Sequence, residues 1–206
     1  QAGCDVWLTA RGSDNFVRAG GFVTAALAEQ ARSVPGVAAA EPVLRTFVSL
    51  EAGESARARR LTTLLFGYRG PRGLGGPPVL DTGRGVERPG EIVLDRAAAH
   101  RLGARVGDTV RAAGESVKVV GLSRGTNLLG TQLAFGDLGE VEDGMGAWGR
   151  ASFVAVRLAR GAPADEVARA LAAKFPLVDV LQQKVFVANA RREVAAGIVP
   201  LLVVLA

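Results

Sequence analysis

The chain has few side chains that could carry out catalysis or bind a metal. Its single histidine, His100, lies in the stretch R-A-A-A-H-R-L, and its single cysteine is Cys4. Zinc sites draw several ligands from Cys, His and acidic side chains, so these two residues do not form one. A catalytic triad would have to combine His100 with Ser123 or Ser152. Ser123 has the spacing G-x-S-x-G at residues 121–125, but the glycine-rich stretch after it shows no sign of the helix that a nucleophile elbow requires. We therefore predict no metal site and no catalytic residue, with His100 an ordinary, partly exposed side chain.

Two segments superficially resemble ligand-binding motifs. Glu140, Glu142 and Asp143 form the densest carboxylate cluster, but they lack the alternating spacing of a calcium loop, so we predict a solvated turn. The glycine-rich residues 70–76 resemble a phosphate-binding loop. They lack its Gly-Lys-Ser/Thr ending, and prolines follow where a helix should begin. We predict a rigid connector there, with no ATP or other cofactor site in this chain.

Composition limits the class of protein. The chain has 206 residues, 49% of them hydrophobic, with 27 glycines and 9 prolines, which excludes wholesale disorder and a simple helical bundle. The net charge is +5, and the basic residues are scattered except for Arg57, Arg59 and Arg60. No aromatic stacking platform accompanies that trio. We therefore expect one large or two small domains and no nucleic-acid partner.

The first third of the chain predicts the order β-α-β-β. Residues 5–10 are β-like. Val23, Ala26, Leu27, Ala31 and Val34 fall on one face of a helix that Pro35-Gly36 ends. Residues 43–50 and 60–68 are rich in apolar and β-branched side chains and predict a hairpin.

The middle of the chain predicts a small β-rich insert. Residues 91–94 form a strand, Asp95 caps a helix at 96–102, and Gly103 ends that helix. Residues 109–112 and 116–122 form a second hairpin. The glycine-rich residues 123–150 show weak strand signals around 133–135.

The last third predicts the order β-α-β. Residues 152–158 read as a strand, Pro163 opens a helix that Pro176 stops, and residues 178–187 read as the next strand. The predicted fold class is α+β: a split β-α-β / β-α-β sandwich, porter-like, with a small β-rich inserted subdomain. The expected domains are 5–69 with 151–190, and 70–150 as the insert.

The last segment of the sequence is apolar and uncharged. Residues 194–206 carry no charge and follow Arg191, Arg192 and Glu193. A bilayer-spanning helix needs about 20 apolar residues. We expect residues 191–206 to be the start of a truncated transmembrane helix, with the rest of the chain an excised segment between membrane spans. The alternative is a buried terminal helix.

Four segments carry a resemblance to a known family. They are G-P-P-V-L-D-T-G-R at 76–84, P-G-E-I-V-L-D at 89–95, L-G-A-R-V-G-D-T-V at 102–110 and V-K-V-V-G-L at 117–122. This succession resembles the extracytoplasmic domain of MacB/FtsX-type ABC transporter permeases. The opening D-V-W-L at 5–8, followed by Asp14-Asn15, is similar to DevC-like members. The likeness covers most of residues 5–190.

The resemblance implies a non-enzymatic role in the cell membrane, with this domain on the extracytoplasmic (periplasmic) side. The implied partners are a cytoplasmic ABC ATPase subunit, a second permease copy, the membrane and an extracytoplasmic protein. The domain would couple ATP hydrolysis by its partner subunit to substrate export. The alternative is a regulatory or assembly domain of FtsX type that controls a partner such as a cell-wall hydrolase.

Four apolar side chains in the insert are candidate contacts for a substrate or partner. Leu128, Leu129, Met145 and Trp148 lie in glycine-rich, otherwise polar stretches. The alternative is that they pack the insert's own core.

Overall fold

The structure, a computed structural model, describes residues 3–16, 20–53, 58–128 and 131–204. The strands are β1 (Val6–Ala10), β2 (Val23–Thr24), β3 (Val37–Ala52), β4 (Arg59–Tyr68), β5 (Leu80–Gly83), β6 (Glu91–Asp95), β7 (Thr109–Ala112), β8 (Glu115–Ser123), β9 (Asn127–Leu128), β10 (Thr131–Asp137), β11 (Arg150–Ala151), β12 (Phe153–Leu158) and β13 (Val178–Gln182). The helices are α1 (Leu27–Arg32), α2 (Arg96–Leu102), α3 (Leu138–Met145), α4 (Ala164–Lys174) and α5 (Gln183–Val204).

The chain divides into two compact units. The inserted unit consists of residues 43–150, and Gly3 is grouped with it. The split unit consists of residues 4–42 and the residues from 151 onwards. The sequence placed the start of the insert at residue 70, whereas the division falls after residue 42. The physical reason is strand pairing: β4 pairs in parallel with β10, so residues 59–68 group with the rest of the insert.

The inserted unit is built on a mixed sheet in the order β3-β4-β10-β6-β8-β5. β4–β10 and β6–β8 are parallel pairs, whereas β3–β4, β10–β6 and β5–β8 are antiparallel. Helix α2 packs Ala99 and Leu102 onto a core that includes Leu50 and Leu94. Helix α3 packs on a second cluster around Leu44.

The split unit contains the strand order β13-β1-β12-β3, in which β1 pairs antiparallel with both β12 and β13. Its core takes alternate residues of these strands and the apolar faces of α1 and α4. Val167, Leu171 and Phe175 are buried, as the predicted apolar stripe of α4 requires. The fold is therefore α+β, as expected.

Most predicted elements are confirmed, and two boundaries are wrong. Both hairpins, the strand at β6 and helices α2 and α4 lie where the sequence indicated. The first helix begins only at Leu27, because Val23 and Thr24 form a strand that pairs with β11. The predicted strand 178–187 ends at Gln182, where α5 begins. Among the described residues, no helix has both the length and the apolar character needed to cross a bilayer.

The predicted rigid connector at residues 70–76 packs on β4 through its last glycine. A Cβ atom on Gly76 would lie 2.6 Å from the ring of Tyr68, so only glycine allows this approach. The Tyr68 hydroxyl accepts a hydrogen bond of 2.9 Å from the backbone N–H of Val86. Leu74 is 1% exposed. These contacts hold the second half of the connector, and the segment that follows it, against Tyr68 of β4.

A buried polar network joins the end of β6 to the segment after β8. The Asp95 carboxylate accepts hydrogen bonds from the backbone N–H of Ala97 at 2.8 Å and from the Thr126 hydroxyl at 2.6 Å. The Thr126 hydroxyl also lies 2.8 Å from that of Ser123. Asp95 therefore caps α2 and satisfies a buried hydroxyl pair at the same time, and Gly103 ends the helix in the left-handed conformation as predicted.

A second buried carboxylate lies at the start of β6. Glu91 accepts two hydrogen bonds from the guanidinium of Arg84, at 2.6 and 2.7 Å, one from Arg88 Nε at 3.0 Å and one from the backbone N–H of Glu87 at 3.0 Å. The forked bond from Arg84 is the main reason that the pKa of Glu91 is lowered to about 2. Arg84 and Glu91 belong to the motifs at 76–84 and 89–95, so the two motifs meet here.

Replacing Asp95 tests the buried network. Asp95→Ala removes the cap and leaves the buried Thr126 hydroxyl without its acceptor, so we expect a loss of about 2–4 kcal/mol in the free energy of unfolding. The matched control is Asp137→Ala, which removes the cap of α3 at a half-buried position. We expect that change to cost only about 1 kcal/mol. Urea denaturation measures both, and equal losses would contradict the role of the Thr126 bond.

Replacing Glu91 tests the ion pair through pH. The pKa of Glu91 is about 2 in the folded chain against an ordinary 4.5. Its stabilising effect is therefore complete above pH 4.5 and is lost as the pH falls towards 2. Glu91→Gln should lower the free energy of unfolding at neutral pH by about 1–3 kcal/mol. It should also flatten the fall in stability over this acid range.

The control for this ion pair is Glu51→Gln, which breaks a more exposed pair between the half-buried Glu51 and the exposed Arg60. Exposed pairs contribute about 0–1 kcal/mol, so we expect little change at neutral pH. Denaturation midpoints measured between pH 7 and pH 2 provide the comparison. Parallel curves for the wild type and Glu91→Gln would show that the Arg84 interaction does not lower the carboxyl pKa.

Candidate functional site

The four predicted contact residues fall into different environments. Leu128 is the last residue of β9, and its side chain lies outside the described part of the structure, as does the whole of Leu129. Met145 ends α3 and is half-buried against the cluster that contains Leu138 and Val141. Its contacts are those of a core residue of the insert.

Trp148 is the exposed member of the set. Its side chain is 68% exposed, and its indole N–H donates a hydrogen bond of 2.9 Å to Asp143 Oδ1. Glycines at 146 and 149 flank this part of the chain in the left-handed conformation. A large aromatic ring held by its N–H with its face in solvent is a common form of partner contact.

The predicted solvated turn at Glu140, Glu142 and Asp143 is instead part of helix α3. Its carboxylates make separate contacts: Glu140 Oε1 accepts a 2.7 Å bond from the backbone N–H of Gly90, and Glu142 Oε1 accepts one of 3.3 Å from that of Gly149. Burial raises the pKa of Glu140. The three acids brace loops around α3 and do not converge on one point.

The other residues that could do chemistry are also accounted for. His100 is exposed on α2, whereas the Ser123 hydroxyl is bonded to Thr126 and to the carbonyl oxygen of Leu94. The Cys4 thiol donates to the carbonyl oxygen of Val6 at 3.1 Å. Burial raises its pKa to about 12, which keeps it protonated and unreactive. Within the described ranges, no three metal-ligating side chains are grouped closely enough to bind an ion.

The structure brings together four aromatic side chains that the sequence did not single out. Trp7 on β1, Phe16 beyond it, Phe153 on β12 and Phe186 on α5 form the aromatic junction of the split unit. The centroids of all six ring pairs lie within 4.4–5.8 Å, and five of the six pairs meet edge to face. Phe153 and Phe186 are both 0% exposed. Pairs of this geometry contribute about 0.5–1.5 kcal/mol each beyond their burial.

Hydrogen bonds on either side of Phe186 tie α5 to the chain around β1. The backbone N–H of Gln183 donates 2.8 Å to the carbonyl oxygen of Asp5, and the Gln183 side chain accepts from the Trp7 indole N–H. One turn beyond Phe186, the Asn189 amide donates 3.0 Å to the carbonyl oxygen of Asp14. The first two turns of α5 are thus held by both side-chain packing and backbone contacts.

Sequence reasoning missed this junction because it assigned residues 178–187 to a strand. Phe186 and Ala190 are four residues apart and both 0% exposed, which is the spacing of one helical face. That spacing was the signal available in the sequence. It was obscured by the β-branched residues of β13 and by Val185 and Val187 shortly after them, which together favour a strand.

Mechanically, the junction attaches a helix to a sheet. Ring packing and hydrogen bonds both connect the first two turns of α5 to β1 and to the segment after it. No group in the junction is arranged for acid–base or nucleophilic chemistry.

The comparisons with known proteins give the family. Residues 5–174 match the model of the MacB-like periplasmic core domain. No curated protein matches the chain.

Solved structures of three proteins share the fold. The periplasmic region of MacB from Actinobacillus actinomycetemcomitans matches with a TM-score of 0.64 at 14% identity, over 89% of this chain and 90% of that one. The extracellular domain of the noncanonic ABC-type transporter YknZ from Gram-positive bacteria matches with 0.59 at 16%, over 86% and 98%. A domain of a putative permease protein from Porphyromonas gingivalis matches with 0.55 at 17%, over 87% and 88%.

The family match covers most of the chain and includes β1, β12 and the motifs that meet at Glu91. The expected resemblance is therefore confirmed: the chain belongs to the MacB-like periplasmic core domain family, the extracytoplasmic domain of ABC transporter permeases.

Proposed function

We propose that this domain couples ATP hydrolysis by a partner subunit in the cytoplasm to substrate export, or to movement of a partner, outside the cell membrane. The observation that carries the proposal is the family match over residues 5–174. The domain would work as part of a permease that pairs with a second copy and with an ABC ATPase. Catalysis would belong to the ATPase, with no cofactor bound by this domain.

The aromatic junction supports this role. In the proposal, α5 continues into a membrane helix through the uncharged residues 194–206, so its movement has to reach the sheet of the split unit. Phe186 and its ring partners give a stiff connection for that purpose. We further propose that the split unit is the porter-like half of the domain, which stays attached to the membrane helix.

The inserted unit would then contact the substrate or an extracytoplasmic partner. Trp148 is the member of the predicted set that supports this, because it combines 68% exposure with a fixed indole N–H. Leu128 and Leu129 remain part of the proposal on the strength of their sequence context. Met145 would support this surface from the core side, because its side chain packs against the buried cluster beneath α3.

Replacing Phe186 tests the coupling in the intact permease with its ATPase subunit in proteoliposomes. Spin labels on the exposed Arg169 of α4 in both copies report their separation with and without ATP. We expect ATP to change this distance in the wild type. Phe186→Ala should reduce the change while leaving ATP hydrolysis intact, because it loosens α5 from the sheet.

The matched control for the coupling is Val185→Ala, one residue away on α5 and 39% exposed. It should keep the wild-type distance change. Loss of packing at Phe186 is expected to cost about 3–5 kcal/mol, so thermal denaturation must first show a folded domain at the working temperature. A wild-type distance that ATP hydrolysis leaves unaltered would refute the coupling role. If ATP moves the domain but no substrate is exported, the FtsX-type regulatory alternative is favoured.

Replacing Trp148 tests the contact surface. Trp148→Ala should change the free energy of unfolding by about 0.5 kcal/mol or less, because the ring is mostly in solvent, yet it should reduce export by the intact permease. Met145→Ala is the comparison, with an expected loss of about 1–2 kcal/mol from a half-buried site. Denaturation and an export assay measure the two effects. Full export by Trp148→Ala would remove this residue from the contact surface.

A further inference from the structure

An apolar groove with a basic rim lies in the split unit, at the beginning of β13. Its volume is about 420 Å³, and its walls come from the loop before β2, from α1 and from the segment that joins α4 to β13. The apolar lining includes Phe22, 43% exposed, and Leu177, 79% exposed. Phe22 and Leu177 thus place two large, partly solvent-exposed apolar side chains in one groove.

The charged side chains that line the groove are basic, and the carboxylate of Asp179, next to the lining residue Val178, accepts a hydrogen bond from the backbone N–H of Gly12. Among the described residues, the lining includes Arg11 and Lys174 but no carboxylate. Arg11 donates 2.6 Å to the carbonyl oxygen of Pro176, and Lys174 donates to the Ser33 hydroxyl at 2.6 Å. These bonds hold both cations at the rim without neutralising them. A ligand that complements the groove would therefore have an apolar group for its walls and a carboxylate for its cations.

Val178, the first residue of β13, is part of the groove lining. β13 pairs with β1 on one side, and within the described residues no strand pairs with it on the other. The Gln183 N–H bonds to the Asp5 carbonyl, so in the antiparallel alternation Val180 and Gln182 direct their backbone groups away from β1. An open edge of this kind accepts an extended peptide by strand addition.

We propose that β13 and the groove beside it bind an extended, acidic peptide segment of a partner protein. The peptide adds a strand along β13, an apolar side chain fills the groove between Phe22 and Leu177, and a carboxylate lies at Arg11 and Lys174. A fatty carboxylate would also match the charge and the apolar walls. The open edge of β13 favours the peptide, because the alkyl chain of a lipid cannot form hydrogen bonds with a strand. Peptide binding here does not require the coupling role proposed above.

The test uses the 206-residue chain and a fluorescein-labelled octapeptide of alternating valine and glutamate. Fluorescence anisotropy should show saturable binding. The same peptide N-methylated at alternate residues, which blocks strand pairing, should bind about tenfold more weakly or worse. Hydrogen exchange should slow at Val180 and Gln182 when the unmodified peptide is bound. Lack of saturable binding at millimolar peptide overturns the proposal.

Two exposed positions provide variants that leave the core untouched. Leu177→Asp and Lys174→Glu should each weaken binding about fivefold to tenfold, and their effects should combine. The matched controls lie in the other unit: Val106→Asp at a residue 42% exposed, and Lys118→Glu on β8. The controls should bind like the wild type. Equal weakening by variants and controls would show only a general charge effect and overturn the assignment.

Oleate tests whether a fatty carboxylate, instead of a peptide, occupies the groove. Competition by oleate alone, together with equal binding of the N-methylated and unmodified peptides, would assign the groove to a fatty carboxylate and overturn the peptide proposal. Slower hydrogen exchange at β13 with the peptide, but not with oleate, supports it. The failure of this site would leave the ATP-driven distance change unaffected, so the two proposals are tested independently.

Discussion

The packing of Phe186 against three other aromatic rings is the contact on which the connection between helix α5 and the sheet depends. Phe186 belongs to the second turn of α5 counted from Gln183, and its partners come from β1, β12 and the segment after β1. Several elements of the split unit thus meet at one side chain. A helix joined to a sheet only through its backbone could pivot at the junction between them, whereas interlocked rings fix its direction. This is why the proposed mechanical role is placed at the junction.

The inserted unit depends on a different interaction. Two buried carboxylates, one at each end of a single strand, accept hydrogen bonds from the neighbouring loops. Glu91 and Asp95 are 3% and 2% exposed, at the first and last residues of β6. A buried carboxylate is tolerated only where several donors satisfy it, and each of these binds a loop outside its own strand. Glu91 holds the turn that begins at Arg84, and Asp95 holds the segment at Thr126. The loops of the insert are thereby fixed to its sheet.

The parts of the fold that local chemistry determines could be predicted from the sequence. Asp95 and Gly103 bound α2 because capping and left-handed backbone are properties of single residues. Helix α3 was missed because Gly139 and Gly144 lower its intrinsic helicity, and tertiary packing of Leu138 and Val141 overrides that preference.

The ring contacts at Phe186 were beyond prediction for another reason: 179 residues separate Trp7 from Phe186, and neither spacing nor composition indicates that they meet.

The groove at β13 and the junction at α5 lie at opposite ends of the same pair of strands. Ala10 pairs with Val178 at the groove, and Asp5 bonds to Gln183 at the start of α5. Five residues of strand cover roughly 15 Å. A peptide added along β13 would therefore extend towards the first turn of α5. It would bias the movement of α5 only if it bound one position of the helix more tightly than another, since a ligand shifts an equilibrium by its differential affinity alone. The shared strand pair supplies the physical route for such a difference.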